Sequence, residues 1–112
     1  MSDMVKKYLD IWNETDPVVR RAAIADVFAA DVRYTDPLAA VTGPDGLDAV
    51  IAGVHRQFPG LAFTAGELDD AHHDQARFTW RLGEAVEGFD VITLDADGRI
   101  SAVYGFLDRV PG

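Results

Sequence analysis

The hydrophobic pattern changes its period at Pro59-Gly60, and this change constrains the fold more than any other feature of the sequence. Before this point, apolar residues recur with the spacing of one face of an amphipathic helix. After it, short apolar runs rich in β-branched and aromatic residues alternate with turn residues, which is typical of strands. Helices that precede a series of strands, rather than alternating with them, predict an α+β fold.

The first half of the chain carries apolar stripes with helical spacing, and we predict a helix over each of them. The stripes cover residues 4–12, 18–28 and 47–58. Ser2 or Asp3 is available as the N-cap of the first helix. Asp16-Pro17 has the residue types of an N-cap followed by a first helical residue, and it predicts the start of the second helix.

Strands are predicted mainly in the second half, with one before the third helix. The predicted strands are residues 32–36, 61–68, 76–82, 86–94 and 100–107. Pro37 ends the first of them, because proline cannot donate a ladder hydrogen bond. Asp95 to Gly98 has the composition of a hairpin connection. A chain of 112 residues has room for one hydrophobic core, so we expect one domain over residues 1–112.

Charge and composition exclude several classes of function. The formal net charge of −9 disfavours binding to nucleic acid or to an anionic membrane. The sequence has no cysteine, which rules out disulfides, a thiol nucleophile and Cys-ligated metals. It lacks Gly-rich phosphate-binding motifs and the Gly-x-Ser-x-Gly motif of serine hydrolases. No apolar run is long enough to cross a membrane and the first residues lack a signal-peptide pattern, so we expect a cytoplasmic protein.

The last two predicted strands are apolar on both faces. In strand 86–94, one face has Gly88, Asp90, Ile92 and Leu94, and the other has Phe89, Val91 and Thr93. In strand 100–107, one face has Ile100, Ala102, Tyr104 and Phe106, and the other has Ser101, Val103, Gly105 and Leu107. The helices precede these strands and can cover only one face. An apolar outer face needs a cover, so we expect a homodimer through the outer face of the sheet. The alternative is that the sheet curls and covers itself.

Asp90 is the most informative polar residue, because it lies inside an apolar strand. The alternation places its carboxyl on the same face as Ile92 and Leu94. Burial disfavours the charged form of a carboxyl and raises its pKa. A neutral carboxylic acid can donate a hydrogen bond to a developing oxyanion, whereas an ionised one cannot. The alternative is an aspartate at a strand end that caps a neighbouring backbone N–H.

Asp36 and Tyr8 are further candidates for chemistry. Asp36 stands at a strand end directly before Pro37, where a carboxylate beside a pocket can act as a general base, although Asp-Pro is also a common turn sequence. Tyr8 lies on the apolar stripe of the first helix, where its hydroxyl needs a partner, and core packing is the alternative. The residues expected to line a pocket and contact substrate are Trp12, Ile51, His55, Phe63, Trp80, Val103 and Leu107.

The remaining histidines and arginines give weaker signals. His72-His73 is flanked by aspartates, but adjacent residues of a strand point to opposite faces and no zinc-type spacing is present. We therefore expect no metal site and no cofactor. Arg77 and Arg81 share a strand face with Thr79, where either could bind a substrate carboxylate or lie in solvent.

Two segments of the sequence resemble those of a known family. They are Asp31-Val32-Arg33-Tyr34-Thr35-Asp36-Pro37 and Gly88-Phe89-Asp90-Val91-Ile92-Thr93-Leu94-Asp95-Ala96-Asp97-Gly98-Arg99-Ile100. With this order of helices and strands, the chain resembles the nuclear-transport-factor-2-like superfamily, and within it SnoaL-like polyketide cyclases and ketosteroid isomerases. The resemblance implies a cone-shaped, strongly curved sheet wrapped around the helices, a pocket at its wide end and dimerisation through the sheet.

The resemblance to ketosteroid isomerase implies roles for particular residues. In that enzyme an aspartate base works beside a tyrosine and a neutral aspartic acid that form an oxyanion hole. By position, the base falls on Asp36, the oxyanion tyrosine on Tyr8 and the neutral acid on Asp90. The isomerase's supporting tyrosine on the third helix is replaced here by an aliphatic residue near Ile51. A small apolar or carbonyl-containing ligand and acid–base chemistry without a cofactor are therefore implied.

Three functions are left open by the sequence. The first is an isomerase or cyclase in which Asp36 removes a proton α to a carbonyl. The second is a non-catalytic binding or dimerisation module, with the pocket filled by Trp12, Phe63 or Trp80 and with Asp36 facing solvent. The third is a water-activating site like that of epoxide hydrolases, for which Arg81 would have to join two aspartates.

Overall fold

The computed structural model describes residues 1–111 apart from the side chain of Asp69, so Gly112 of the predicted domain lies outside the described residues. The helices are α1 (Ser2–Asn13), α2 (Pro17–Val27) and α3 (Gly43–Gln57). The strands are β1 (Phe28–Thr35), β2 (Ala40–Thr42), β3 (Phe63–His72), β4 (Gln75–Leu82), β5 (Val86–Leu94) and β6 (Ile100–Arg109). None of the helices in this part of the chain is both long and apolar enough to cross a membrane. The predicted α+β class is confirmed.

The helix starts agree only in part with the sequence-based predictions. Asp16 caps α2 as predicted, and its carboxylate accepts hydrogen bonds from two backbone N–H groups of the first turn, at 2.9 and 3.3 Å. The predicted cap of α1 at Ser2 or Asp3 is wrong, because the helix already includes both residues and no described side chain caps it. The third helix begins at Gly43, earlier than its apolar stripe, with the proline that follows in its first turn.

The strands form one open, curved sheet in the order β2-β1-β6-β5-β4-β3. The pairing is antiparallel except between β1 and β6, which run parallel. Strand β2 was not predicted; its three residues pair with the end of β1. Strand β1 also begins earlier than predicted, at Phe28, because this residue pairs with Ile100 of β6. The sheet therefore carries the end of β1, where Asp36 follows, next to β6.

The inner face of β5 confirms the predicted alternation. Gly88, Asp90 and Ile92 are buried, while the residues between them are partly exposed. Ile92 belongs to the main hydrophobic core, which the helices and the inner face of the sheet form together. Asp90 is thus a carboxyl on the inner, apolar face of a central strand.

The outer face of the sheet is partly uncovered in the described part of the chain. Tyr104 and Phe106 of β6 are about half exposed, and the Phe106 ring stacks on that of Phe89 with centroids 4.7 Å apart. The prediction that Ile100 shares this face is wrong, because a register shift between β5 and β6 leaves Ser101 without a strand partner and turns Ile100 into the core. The described residues leave this apolar surface open rather than curling over it.

Candidate active site

A cavity of about 500 Å³ lies between the helices and the inner face of the sheet. Its walls are mostly aromatic and aliphatic, and its polar groups include Tyr8, Asp36 and Asp90, which the sequence singled out. The lining residues are Tyr8, Leu9, Trp12, Tyr34, Asp36, Leu38, Val54, Gln57, Phe58, Phe63, Trp80, Leu82, Val86, Asp90, Gly105, Phe106, Leu107, Val110 and Pro111. The volume is in the range of known small-molecule sites.

The Asp90 carboxyl is buried at one side of this cavity, where it accepts two hydrogen bonds. The Tyr8 hydroxyl donates to Oδ2 at 2.6 Å, and the Trp80 indole N–H donates to Oδ1 at 3.0 Å. Burial raises the pKa of Asp90 to about 6, and the charge of Asp36 acts in the same direction, although the two donors oppose the shift. Asp90 is therefore a carboxyl that changes its charge close to neutral pH.

Gly88 explains how the Trp80 indole reaches Asp90. A Cβ atom at position 88 would collide with the Phe106 carbonyl oxygen and would lie 2.6 Å from Cζ2 of Trp80. The indole ring passes over the backbone of β5 through the space that a side chain would fill. The glycine of the Gly88-Phe89-Asp90 motif therefore leaves the space through which the Trp80 indole N–H contacts Asp90.

The Asp36 carboxyl has hydrogen-bond donors on both of its oxygens. Oδ1 accepts from the backbone N–H of Leu38 at 2.8 Å and of Ala39 at 2.7 Å. Oδ2 accepts from the Tyr34 hydroxyl at 2.6 Å. Asp36 therefore organises the turn that follows β1 and also lines the cavity, and its role as a general base stays a prediction.

Tyr34 is the chemically capable residue that the sequence analysis missed. Its side chain is buried and lines the cavity, and burial, assisted by the charges of Asp90 and Asp36, raises its pKa beyond the usual range of a tyrosine. The available signal is the alternation of strand 32–36, which puts Tyr34 on the same face as Asp36. The Tyr34 hydroxyl consequently stays neutral and serves as a donor to Asp36.

Gly105 lies between the carboxyl of Asp90 and the Cβ atom of Asp36. A Cβ atom built at this position would lie 3.1 Å from Oδ1 of Asp90 and 3.2 Å from Cβ of Asp36. Because glycine leaves this space empty, the two acids border the same part of the cavity. Their proximity is also the reason that the charge of Asp36 raises the pKa of Asp90.

Tyr8 is fully enclosed and directs its hydroxyl to Asp90. Burial, followed by the charge of Asp90, raises its pKa well above the usual value for tyrosine. The resemblance implies that Tyr8 and Asp90 donate side by side to one ligand oxygen, but here the tyrosine donates to the carboxyl itself. The arrangement fits an ionised Asp90; once protonated, Asp90 can donate in its turn.

Trp12, Phe63 and Trp80 form the aromatic wall of the cavity and do not fill it. Trp12 and Phe63 have ring centroids 5.4 Å apart, and Phe63 and Trp80 have centroids 5.3 Å apart. The indole nitrogen of Trp12 is buried without a hydrogen-bond partner of good geometry among the described residues. The rings therefore bound an apolar space instead of closing it.

A family model of the SnoaL-like domain matches residues 5–103, which is most of the chain. The chain belongs to the SnoaL-like family. A SnoaL-like family protein from Agrobacterium tumefaciens str. C58, described as a candidate isomerase, is 38% identical over 95% of each chain, with a TM-score of 0.90. The fold and the likeness to the nuclear-transport-factor-2-like proteins are confirmed by this comparison.

More distant structures share the fold of this SnoaL-like protein. A candidate ketosteroid isomerase from Kribbella flavida is 24% identical, over 98% of this chain and 78% of that one, with a TM-score of 0.66. A de novo designed protein with a curved β-sheet is 12% identical, over 96% of this chain and 84% of that one, with a TM-score of 0.75. No curated protein matches the chain. Since a designed protein shares the architecture, function has to be argued from the site.

Three residues expected to contact substrate lie away from the cavity of the SnoaL-like chain. Ile51 and Val103 are completely buried in the core, because strand and helix periodicity identifies the inward face but not the depth along it. Val54 of α3 and Phe58, which directly follows this helix, line the cavity instead. His55 contacts the Trp12 carbonyl oxygen at 2.6 Å through Nε2 and joins α3 to the end of α1.

Arg81, which the epoxide-hydrolase-like function requires, lies on the outer face of the sheet. Its side chain is mostly exposed and pairs with Glu87 at 3.1 Å. An Asp–Arg–Asp set is therefore not formed in the cavity by this residue. His72 contacts Asp70 at 3.5 Å, and among the described side chains no group of three His, Cys, Asp or Glu residues comes together as a metal site.

Proposed function

We propose that this SnoaL-like protein binds a small, apolar carbonyl compound and transfers a proton at the carbon α to the carbonyl, as an isomerase or cyclase, without a cofactor. The proposal is supported by a cavity with an apolar wall and a polar end built from Asp36, Asp90 and Tyr8. The 38% identical relative from Agrobacterium tumefaciens is itself described as a candidate isomerase.

In this proposal Asp36 is the general base. Its Oδ1 is held by backbone N–H groups and its Oδ2 by the Tyr34 hydroxyl, so the carboxylate has a fixed orientation and a remaining lone pair for a substrate proton. The base takes the α-proton while the C–H electron pair forms the enolate and the carbonyl π pair moves to oxygen. Returning the proton to another carbon gives an isomer, and attack of the enolate carbon on a second carbonyl gives a ring.

Tyr8 and Asp90 would stabilise the enolate oxygen. Neutral Asp90 donates its own proton to that oxygen, and Tyr8 turns its O–H from the carboxyl to the same acceptor. Donors in a buried, apolar cavity stabilise a developing charge far more than donors in water. The observation that carries the proposal is the burial of Asp90 in the same apolar cavity as Tyr8 and Asp36. This burial raises the pKa of Asp90 to about 6, which brings it into the range where a neutral acid is available.

The direct test is to replace the base with its isosteric amide. With a panel of β,γ-unsaturated cyclic ketones as probes, the Asp36→Asn variant should lose at least about 10²-fold in the rate of double-bond migration or α-deuterium exchange. Asn can still accept the Leu38 and Ala39 bonds, so the turn should persist, which circular dichroism checks. Asp26→Asn, an exposed change on α2, is the matched control and should keep the wild-type rate. Wild-type rates in Asp36→Asn would remove the assigned base.

Ligand binding without chemistry is a second candidate function. The observation that favours it is that both acids already accept hydrogen bonds from the chain itself, two on Asp90 and three on Asp36. A ligand that binds without any exchange of its α-protons would favour this module over the enzyme.

We propose that two copies associate through the outer face of the sheet and that residues 1–112 act as one domain in the cytoplasm. The support is the exposed apolar surface of Tyr104 and Phe106, which continues over the partly buried ring of Phe89. Sedimentation velocity should show a dimer for the wild-type chain and a monomer for Tyr104→Glu, which changes this face without touching the cavity. An unchanged sedimentation coefficient in the variant would contradict this interface.

A further inference from the structure

The aromatic wall of the cavity is a continuous arc of rings. Tyr34 and Trp12 have ring centroids 5.6 Å apart, and the contacts continue from Trp12 to Phe63 at 5.4 Å and from Phe63 to Trp80 at 5.3 Å. All of these residues line the cavity. The arc consequently presents several π systems to one enclosed volume.

Each end of this arc is hydrogen-bonded to a carboxyl. The Tyr34 hydroxyl donates to Asp36 at 2.6 Å, and the Trp80 indole donates to Asp90 at 3.0 Å. Gly105 lies between the two acids and leaves the gap open. Rings and carboxyls therefore surround one space, and the donated hydrogen bonds draw electron density into the two rings that end the arc.

The negative charges of Asp36 and Asp90 have no positively charged partner among the described residues that line the cavity. None of the residues that line the cavity is Lys, Arg or His. Several arginine–carboxylate contacts lie outside this lining: Arg20 and Arg21 contact Asp48, and Arg81 and Arg109 contact Glu87. The charge of Asp36 raises the pKa of Asp90, which is the electrostatic sign that the two carboxyls repel each other across the gap.

We infer that the cavity binds organic ammonium ions, with the charged nitrogen between Asp36 and Asp90 and the apolar part of the ligand against the aromatic arc. A cation relieves the repulsion between two carboxylates, and aromatic faces attract cations through their quadrupoles. An anion would meet two negative charges and no described positive one. This site does not depend on the proposed reaction, because binding requires ionised acids and not a base and a proton donor.

The pH dependence of ammonium binding has a defined sign. The titratable groups that face the two acids are Tyr8 from α1 and Tyr34 from β1, and burial keeps both phenols neutral by raising their pKa. Trp80 from β4 contributes a neutral N–H. Ammonium affinity should therefore follow the ionisation of Asp90 and increase as the pH rises through about 6.

The test compares benzylammonium with benzyl alcohol, its neutral analogue of similar shape. Both are titrated into the ¹⁵N-labelled chain, whose two tryptophans, Trp12 and Trp80, line the cavity and give indole N–H signals that report binding there. At pH 7.5 benzylammonium should bind at least about tenfold more tightly than the alcohol, and its advantage should decrease at pH 5. Both indole signals should move.

Two charge-neutralising variants locate the effect. Asp36→Asn should lower benzylammonium affinity about tenfold and leave the alcohol unchanged, whereas Asp26→Asn, which removes an exposed charge, should alter neither. If Asp36→Asn does not fold, Asp90→Asn gives the same comparison, because its amide oxygen can accept the Tyr8 bond.

The inference is overturned if the alcohol binds as tightly as the ammonium ion, if the indole signals do not move, or if the charge-neutralising variants bind benzylammonium like the wild type. The outcome is separate from that of the proposed reaction. Charge-dependent ammonium binding without α-proton exchange in any ketone would remove the reaction and keep the cation site. Exchange without ammonium binding would do the reverse.

Discussion

Two buried carboxyls of this SnoaL-like chain have opposite electrostatic surroundings. Asp48 on α3 accepts a hydrogen bond from Nε of Arg20 at 2.6 Å and another from Nε of Arg21 at 3.2 Å. Burial acts to raise its pKa, but the bonds and charges of the two arginines outweigh burial and lower it. Asp90 receives neutral donors instead, and its pKa is raised to about 6. Burial alone therefore does not decide the state of an acid; the charge of its partners does.

This difference suits Asp48 to a structural role and Asp90 to a role in the candidate active site. The Asp48 pairs join α2 to α3 and stay ionised over the working range of pH, which suits a permanent contact between helices. Asp90 shares its cavity with Asp36 and gains or loses a proton near neutral pH, which is typical of acids in active sites.

The largest expected effect comes from removing the cation beside Asp48. Arg20→Met leaves a buried carboxylate with only the exposed Arg21 as a partner, so the free energy of unfolding should fall by about 3–5 kcal/mol in urea denaturation. The double variant Arg20→Met with Asp48→Leu is the control and should recover part of that loss, because it removes the orphaned charge. A loss below about 1 kcal/mol in the single variant would contradict the structural role of this pair.

A smaller effect should appear in the pH dependence of stability at Asp90. Its ordinary pKa of 3.8 becomes about 6 in the folded chain, so between these values the folded state binds more protons than the unfolded state. The contribution of Asp90 to the free energy of unfolding is therefore present at low pH and decreases by about 3 kcal/mol as the pH rises through this window.

Asp90→Asn removes that dependence while keeping the size of the side chain. The difference in unfolding free energy between wild type and variant, measured in urea from pH 4 to pH 7, should follow the predicted slope. For Asp48 the sign is opposite: its lowered pKa contributes stability that is lost as the pH falls. A constant difference between wild type and Asp90→Asn across the range would show that burial does not shift this acid.

The smallest expected effect is a change in the pKa of Asp90 when one of its two neutral donors, the Trp80 N–H, is removed. Trp80→Phe keeps a ring in the wall but removes the N–H that bonds Oδ1 of Asp90, and this donor stabilises the ionised form. The pKa of Asp90 should rise further above about 6, as followed by ¹³C NMR of the side-chain carboxyl. Phe63→Leu is a control in the same wall that leaves both donors in place and should change this pKa less. A lower pKa in Trp80→Phe would contradict the assigned direction.

Alternation along strand 86–94 predicted the inward face that Asp90 occupies. The burial of Asp90 with Gly88 and Ile92 followed from the pattern of strand 86–94, and the cap at Asp16 followed from local residue types. These features depend on neighbours close in sequence, where period and turn chemistry act directly.

Several features of the structure were not predicted from the sequence. Tyr34 has the pattern of a core residue, and its bond to Asp36 is seen only once the turn after β1 is built. Buried Arg20 donates a hydrogen bond to Asp48, which lies 28 residues further along the chain on another helix. Ile51 and Val103 were placed on the correct inward face but lie deeper than the cavity, because periodicity carries no measure of depth.

The most direct measurement is a pH titration of the Asp90 and Asp48 side-chain carboxyls in one sample by ¹³C NMR. We expect Asp90 to titrate near pH 6 and Asp48 to titrate below its ordinary value of 3.8. Titration of Asp90 at or below its ordinary value would contradict the role of Asp90 as a neutral proton donor, because its carboxyl would then be ionised at neutral pH.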